Sequence, residues 1–433
     1  MHSEIPQQRL QETEQKRLLL LCTTTGYQTR AFVEAAEKLG LKVAFGSDRC
    51  HKLDDPWQDG ALALRFENPS ESARSVVDYA RSHPMDALVA LGDRATPTAA
   101  LACRQLGLAT NSPEAVEACR DKYQARRRLE SAGLKVPSFR RFSIDENPGA
   151  FVSEIEFPCV LKPLALSGSR GVIRANSPQE FVEAFERIKS LLLSRGVQVL
   201  REETSRFLQV ETYIAGREYA LEGMLMEGRL KVLALFEKPD PLEGPYFEET
   251  LYVTPSRLPS ETQQRIIQGV QRASEGLGLS HGPLHAEVRL NGEGVWILEV
   301  AARSIGGLCA RSLRFEQGLR GLSLEELILR QALGEDISEV HRERAASGVM
   351  MIPIPREGLY EGVEGEEEAR RTPGVEEIRI TAKPQQMLVP LPEGASYLGF
   401  IFARADTPAE VEESLHRAHK MLRFRISTVL PVV

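Results

Sequence analysis

Residues 157–176, FPCVLKPLALSGSRGVIRAN, carry two β-type runs joined by a loop of small residues. The first run, FPCVLKP, ends on a lysine. A cation at the end of an apolar strand is costly unless it is paired or reaches water. Read alone, Lys162 extends its head to solvent or pairs with a local carboxylate. The loop adds a third reading. Ser167, Gly168, Ser169 and Gly171 offer backbone N–H groups and hydroxyls with little bulk. Such a loop can wrap phosphate oxygens in a nest of amides, and Arg170 adds charge. The spacing is not G-x-x-x-x-G-K-[ST], so this is no Walker A loop.

Upstream, RLLLLCTTT (17–25) reads as a fully buried strand and TRAFVEAAEKLG (29–40) as a helix ending at Gly40. LKVAFGSD and MDALVALGD (85–93) are further strands, followed by a helix over 96–107. Strands alternating with helices imply a parallel sheet with helices on its faces. The first turn, TTTGYQTR, lacks G-x-G-x-x-G, which disfavours a dinucleotide dehydrogenase. A Ser-Pro start predicts one helical segment over 112–133, and another predicts a helix over 177–196. Residues 207–239 alternate apolar and polar and read as an antiparallel meander. LHAEVRLNGEGVWILEV (284–300) is a hairpin turned at Asn-Gly, and 323–334 a helix. From about Gly348 short strands and turns follow, with an acidic loop at 361–368, a helix over 407–422 and a final strand.

The 433 residues suggest several domains; 42% hydrophobic and 27% charged residues are ordinary for a globular chain. A net charge of −7 argues against nucleic acid as the main partner. No run of about 18 apolar residues exists, so no membrane partner is expected. The polar first 17 residues lack a secretory signal, and six scattered cysteines without a C-x-x-C pair fit reduced, mostly buried thiols in the cytoplasm. The eight histidines show no zinc spacing.

Other candidates surround the lysine. Lys122, in CRDKYQARRRL, reads alone as a surface cation. Glu211 and Glu218, in VETYIAGRE, read as exposed strand carboxylates or as ribose acceptors beside a nucleotide. In the hairpin, Glu287 and Glu299 each sit between apolar neighbours. A three-residue loop, 292–294, places them directly opposite; a two-residue turn does not. Opposed carboxylates repel, so they either face solvent or share a cation, and oxygen-only ligands suit Mg²⁺. Arg303, four residues past Glu299, is placed to hold a phosphoryl group or an oxyanion.

Together DKYQARRRLESAGLKVPSF, FPCVLKPLALSGSRGV, VETYIAGREYALEG and HAEVRL…WILEVAARSIGG resemble the ATP-grasp superfamily, over about residues 18–335. The stretch EKPDPLEGPYFEETLYVTPSRLP (237–259) and the C-terminal part are similar to its carboxylate–amine ligases, the L-amino-acid ligase and carnosine-synthase-like group. The resemblance implies an α/β chain, α+β overall. After the leader (1–17) come a Rossmann-like parallel βαβ domain (18–115), two ATP-grasp subdomains (116–200 and 201–340) and a small α+β domain (345–433). It implies ATP and Mg²⁺, with Mn²⁺ as substitute. Lys122 and Lys162 would contact the phosphates, under the loop of Ser167, Gly168, Ser169 and Gly171. Glu211, Thr212, Tyr213 and Ile214 would line the adenine, and Glu218 would bind ribose. Glu287 and Glu299 would hold the metal. Lys162, Glu299 and Arg303 would be catalytic, Arg303 by stabilising acylphosphate and tetrahedral intermediates. Gly306 and Gly307 would wall the substrate, Glu248 or Glu249 would meet its amine, and His285 would stand near it. Ala301 departs from the pattern, which carries asparagine there as a further ligand.

The activity so implied is an ATP-dependent carboxylate–amine ligation through an acylphosphate, on small-molecule acid and amine substrates. The alternatives are a purine-biosynthesis or carboxylase-type ATP-grasp ligase and a degenerate nucleotide-binding protein. Dimers are common in the family, so a homodimer is the expected assembly.

Overall fold

A computed structural model describes residues 15–23, 28–48 and 61–428. Cys50, most of the polar leader and the end of the first expected strand lie outside them.

The strands β1 (Arg17–Cys22), β2 (Lys42–Ser47), β3 (Leu62–Ala63) and β4 (Ala87–Leu91) form a parallel sheet in the order β3-β2-β1-β4. The apolar run of β1 has a simple cause. Leu18 and Leu20 pack with Phe32 and Ala36 of α1 (Thr29–Lys38), while Leu19 and Leu21 pack in a second core. That core includes Val76 of α2 (Pro69–Ser82) and Cys103 of α3 (Thr96–Leu106). A strand covered on both faces needs no alternation.

The expected helix over 112–133 is two helices, α4 (Pro113–Arg120) and α5 (Lys122–Ser131). Asp121 breaks it with an extended backbone. Its carboxylate accepts from the N–H groups of Tyr123 and Gln124, capping α5. A second sheet holds β5 (Phe139–Ser143), β6 (Cys159–Pro163), β7 (Ile173–Ala175) and β8 (Phe207–Thr212), in the order β5-β8-β6-β7. Phe181, Phe185 and Ile188 of α6 (Pro178–Leu193) cover it, and α7 (Arg195–Gln198) follows.

The meander expected over 207–239 is divided between two sheets. β8 lies beside β6, so the strand after the expected border at residue 200 still belongs to the first of them. β9 (Arg217–Met226) and β10 (Arg229–Glu237) open a larger one. Residues 213–216 cross between them. Gly216 has φ +131°, and a Cβ there would lie 2.4 Å from the Leu290 carbonyl oxygen, so the crossing requires glycine.

The larger sheet adds β11 (Leu251–Thr254), β12 (Gly282–Asn291) and β13 (Gly294–Ala301). Helix α8 (Ser260–Leu277) covers it through Ile266, Val270, Ala273 and Leu277, a periodicity the sequence reading passed over. Short strands β14 (Phe315–Gln317), β15 (Arg320–Leu322) and β16 (His341–Arg342) pair beside α9 (Leu324–Ala332).

The C-terminal segment has its own core but is joined to the large sheet. β17 (Ala346–Ile352) pairs with β11. After β18 (Gly358–Glu364) and α10 (Glu366–Arg370), β19 (Val375–Ile380) becomes the sheet's edge. β20 (Met387–Leu388), β21 (Gly399–Ala405), α11 (Pro408–Met421) and β22 (Arg423–Ser427) complete the chain. The large sheet runs β13-β12-β9-β10-β11-β17-β21-β19. The acidic stretch 361–368 is therefore largely strand and helix, where a loop was expected. Among the described residues no helix is long and apolar enough to cross a membrane.

Candidate active site

Lys162 is paired with a carboxylate rather than extended into solvent. Its Nζ lies 2.5 Å from Glu211 Oε2, and Arg126 Nε lies 2.6 Å from Glu211 Oε1. Gln209 donates to the same Oε1 at 2.6 Å. Burial alone would raise the Glu211 carboxyl, but the charges of Arg126 and Lys162 outweigh it and bring its pKa down to about 2. Lys162 is itself lowered, because burial outweighs the single carboxylate it shares with Arg126. The lysine is thus held by a carboxylate while it lines a cavity between the two sheets.

Glu211 also lines that cavity, but its oxygens are committed to these donors. Thr212, Tyr213 and Ile214 continue the wall, with the Tyr213 N–H donating to Pro158 and the Ile214 carbonyl accepting from Arg289 at 2.6 Å. Val160, Val172, Tyr213, Leu242 and Phe247 make an apolar slot beside them.

Of the small-residue loop, Ser167, Gly168 and Ser169 face the cavity, the last two with φ +65° and +54°. Gly171 does not. Its N–H donates to Pro392, and a Cβ there would lie 2.7 Å from the Pro163 ring, so it is a packing glycine. Lys122 starts α5, donates to the Leu166 carbonyl at 2.8 Å, and lies 3.8 Å from Glu299.

The hairpin resolves its register in an unexpected way. Asn291 pairs with Gly294, a two-residue turn, yet Glu287 and Glu299 are direct partners. A bulge at Leu298 supplies the missing residue. Arg126 fixes this bulge by donating to the carbonyls of Ile297 (3.0 Å) and Leu298 (2.6 Å). One arginine therefore sets both Glu211 and the carboxylate pair. Its place in an Arg-rich helix gave no hint of this.

The sequence reading also missed Lys238, which follows β10. Its ammonium is buried against Glu218 (2.7 Å), Glu287 (3.0 Å) and Glu249. Arg289 takes the other oxygen of Glu218 at 3.1 Å, so Glu218 lines the cavity with both oxygens engaged. Oxygens of the three carboxylates lie within 4.8 Å of one another, and Lys238 supplies the cation among them. Burial and the charge of Glu287 push the Glu249 carboxyl up. Lys238 and His285 hold Glu287 well down against its burial. Lys238→Met should destabilise the chain by about 2–3 kcal/mol, since Glu249 can hold a proton and limit the repulsion. Urea denaturation measures this.

His285 lies between two carboxylates, with Nδ1 3.0 Å from Glu222 and Nε2 3.7 Å from Glu287. Burial would lower it; bonds to Glu222 and Glu287 raise it to about 9. Glu222, fully buried, also accepts the Ile305 N–H at 3.1 Å.

Glu249 lines the cavity but Glu248 does not, so only the former can meet a substrate there. Arg303 is anchored by Asp93 (Nε–Oδ1, 2.9 Å) and donates from Nη1 to the Ser304 carbonyl at 2.9 Å. Arg303, Gly306 and Gly307 stand where the cavity meets a second chamber against the N-terminal sheet.

Glu287 and Glu299 form an all-oxygen donor pair suited to a hard divalent cation. Glu299 is a third exposed, with the Lys122 ammonium 3.8 Å away. Ala301, opposite His285, adds no donor. The pair fits Mg²⁺ with the remaining positions left to other ligands.

Comparisons with known proteins place the chain among ATP-grasp ligases. Family profiles match an ATP-grasp N-terminal domain over residues 33–110, an ATP-grasp domain over 155–312 and the L-amino acid ligase C-terminal domain 2 over 350–427. The chain is 25% identical to the uncharacterised protein y4rH of Sinorhizobium fredii, over 95% of this chain and 84% of that one. It is 28% identical to an alanine–anticapsin ligase of Bacillus subtilis, over 70% of this chain and 66% of that one. The crystal structure of an L-amino acid ligase from Bacillus licheniformis superposes with a TM-score of 0.80 at 26% identity, covering 95% of this chain and 99% of that one.

Proposed function

We propose that this chain, an ATP-grasp ligase of the L-amino-acid ligase group, joins an amino acid or similar carboxylate to an amine and releases ADP and phosphate. The observation that carries this reading is a single cavity. It brings the apolar slot, Lys122, Lys162, the Ser167–Ser169 loop, the opposed pair Glu287 and Glu299, and Arg303 around one space. The relatives named for alanine and for L-amino acids support an amino acid as the acid partner.

The base would lie in the slot beside Tyr213 and Ile214. Lys122 and Lys162 would take charge from the phosphates, and the small-residue loop would cover them. A divalent cation on Glu287 and Glu299 would supply further charge neutralisation when bound. The substrate carboxylate would attack the terminal phosphorus, giving an acylphosphate and ADP. An amine would then attack the acyl carbon, and phosphate would leave with the former carboxylate oxygen. Arg303 would stabilise the negative oxygens in both steps. Glu249, with Tyr252 and Tyr397 beside it on the cavity wall, would hold a substrate ammonium. The five described free cysteines are buried, which fits a reducing cytoplasm.

The test is ADP and phosphate release from Mg²⁺-ATP across a matrix of acids and amines, with mass spectrometry of the products. Release should require one acid and one amine together, and the product should weigh one water less than their sum. ADP release that ignores the amine, or none from any pair, would contradict the reading.

A further inference from the structure

We propose that Asp93 is a positioning residue for Arg303, so that the N-terminal sheet contributes a working part to the site. The inference rests on the role given to Arg303 above.

Asp93 follows β4 and the left-handed Gly92. Its carbonyl accepts from the Thr96 hydroxyl at 2.7 Å, which ties its backbone to the start of α3. The carboxylate therefore projects from a fixed corner at the C-terminal end of a parallel strand. It meets Arg303 at Nε, while the Ser304 carbonyl takes Nη1. Two contacts on a planar group set both its place and its plane. Among the described residues no hydrogen bond reaches Nη2, which leaves one donor edge for a ligand.

A merely structural carboxylate would serve any nearby cation. Arg94 and Arg120 line the same chamber, yet both pair with Glu202, at 3.2 and 3.1 Å. Asp93 is left to Arg303. Neither partner is core: their side chains are 29% and 14% exposed, on the chamber wall. Burial would raise the Asp93 carboxyl, but the charge of Arg303, then those of Lys122 and Arg120, keeps it ionised. An arginine held this way need not be ordered as the reaction proceeds, and a small misplacement of such a group is costly to rate.

The experiment compares Asp93→Asn with wild type in kcat, KM for ATP and thermal melting, and repeats the substitution on Arg303→Lys. The expected result is a fall in kcat of about 10–100-fold, with KM for ATP within about twofold, an unchanged melting temperature, and little further loss on Arg303→Lys. Wild-type kcat in Asp93→Asn, or an equal loss in both backgrounds, would overturn the inference. If Asp93→Asn does not fold, Asp93→Glu keeps the charge, shifts it by one methylene and carries the same kcat test. If wild type ligates no pair, the functional reading fails separately. Exchange protection of the Arg303 Nε proton by NMR then decides: its loss in Asp93→Ala supports the anchoring, and its persistence refutes it.

Discussion

Arg303→Ala should lower turnover by about 10²–10³-fold or more while ATP still binds. The side chain stands at the junction of both chambers and carries its charge into a site otherwise rich in carboxylates. Burial would depress its ionisation, but Asp93 and then Glu299 keep it charged at every accessible pH. Removing it takes away a fixed donor aimed at oxygens whose charge grows during reaction, and such donors act on kcat rather than on substrate affinity. The fold should survive, because Asp93 retains contact with water and Arg303 lies on the chamber wall. Steady-state kinetics alongside ATP titration separates the two effects. A near-normal kcat would remove Arg303 from the chemistry.

Glu211→Gln should have the largest effect on stability. The carboxylate is 4% exposed and compensates two cations, of which Arg126 is 3% exposed. With the charge gone, one amide oxygen replaces two carboxylate oxygens, an NH2 group faces the cations, and Lys162 loses its ion pair while Arg126 keeps the Ile297 and Leu298 carbonyls. Breaking a buried pair from one side costs about 3–5 kcal/mol. Urea denaturation at neutral pH should show this loss, and ATP affinity should fall as Lys162 and the bulge shift. The pH dependence follows from the sign. The folded pKa, about 2, lies below the ordinary 4.5, so the stabilisation is present above 4.5 and is lost as pH falls toward 2. Glu211→Gln should flatten that part of the acid limb. A variant as stable as wild type with the same acid limb would contradict the assigned pairing.

Local signals were legible in sequence wherever one element carries them. The apolar run of β1, the Ser-Pro helix starts and the loop after Lys162 all declare themselves within a few residues. The two glutamates of the hairpin were visible too, although turn length alone left their alignment open, and it comes from the bulge at Leu298. What stayed hidden depends on contacts across the chain. Asp93 meets Arg303, and Arg126 meets Glu211, only after separate sheets have packed. Lys238 is instructive, because LFEKP (235–239) repeats the pattern of VLKP (160–163): an apolar strand ending on lysine and proline. The signal read at Lys162 was present there as well: both ammonium groups are paired with carboxylate, Lys162 with Glu211 alone and Lys238 with Glu218, Glu249 and Glu287. Asp121 broke the expected helix because a capping aspartate inside a helical pattern looks like any other polar residue until the backbone turns.

The central claim is that the acid is activated as an acylphosphate in this cavity. The most direct measurement uses an acid substrate with both carboxylate oxygens labelled as ¹⁸O and mass analysis of the released phosphate and the product. One labelled oxygen is expected in each phosphate and one retained in each amide. Phosphate free of label, released together with amide, would contradict it.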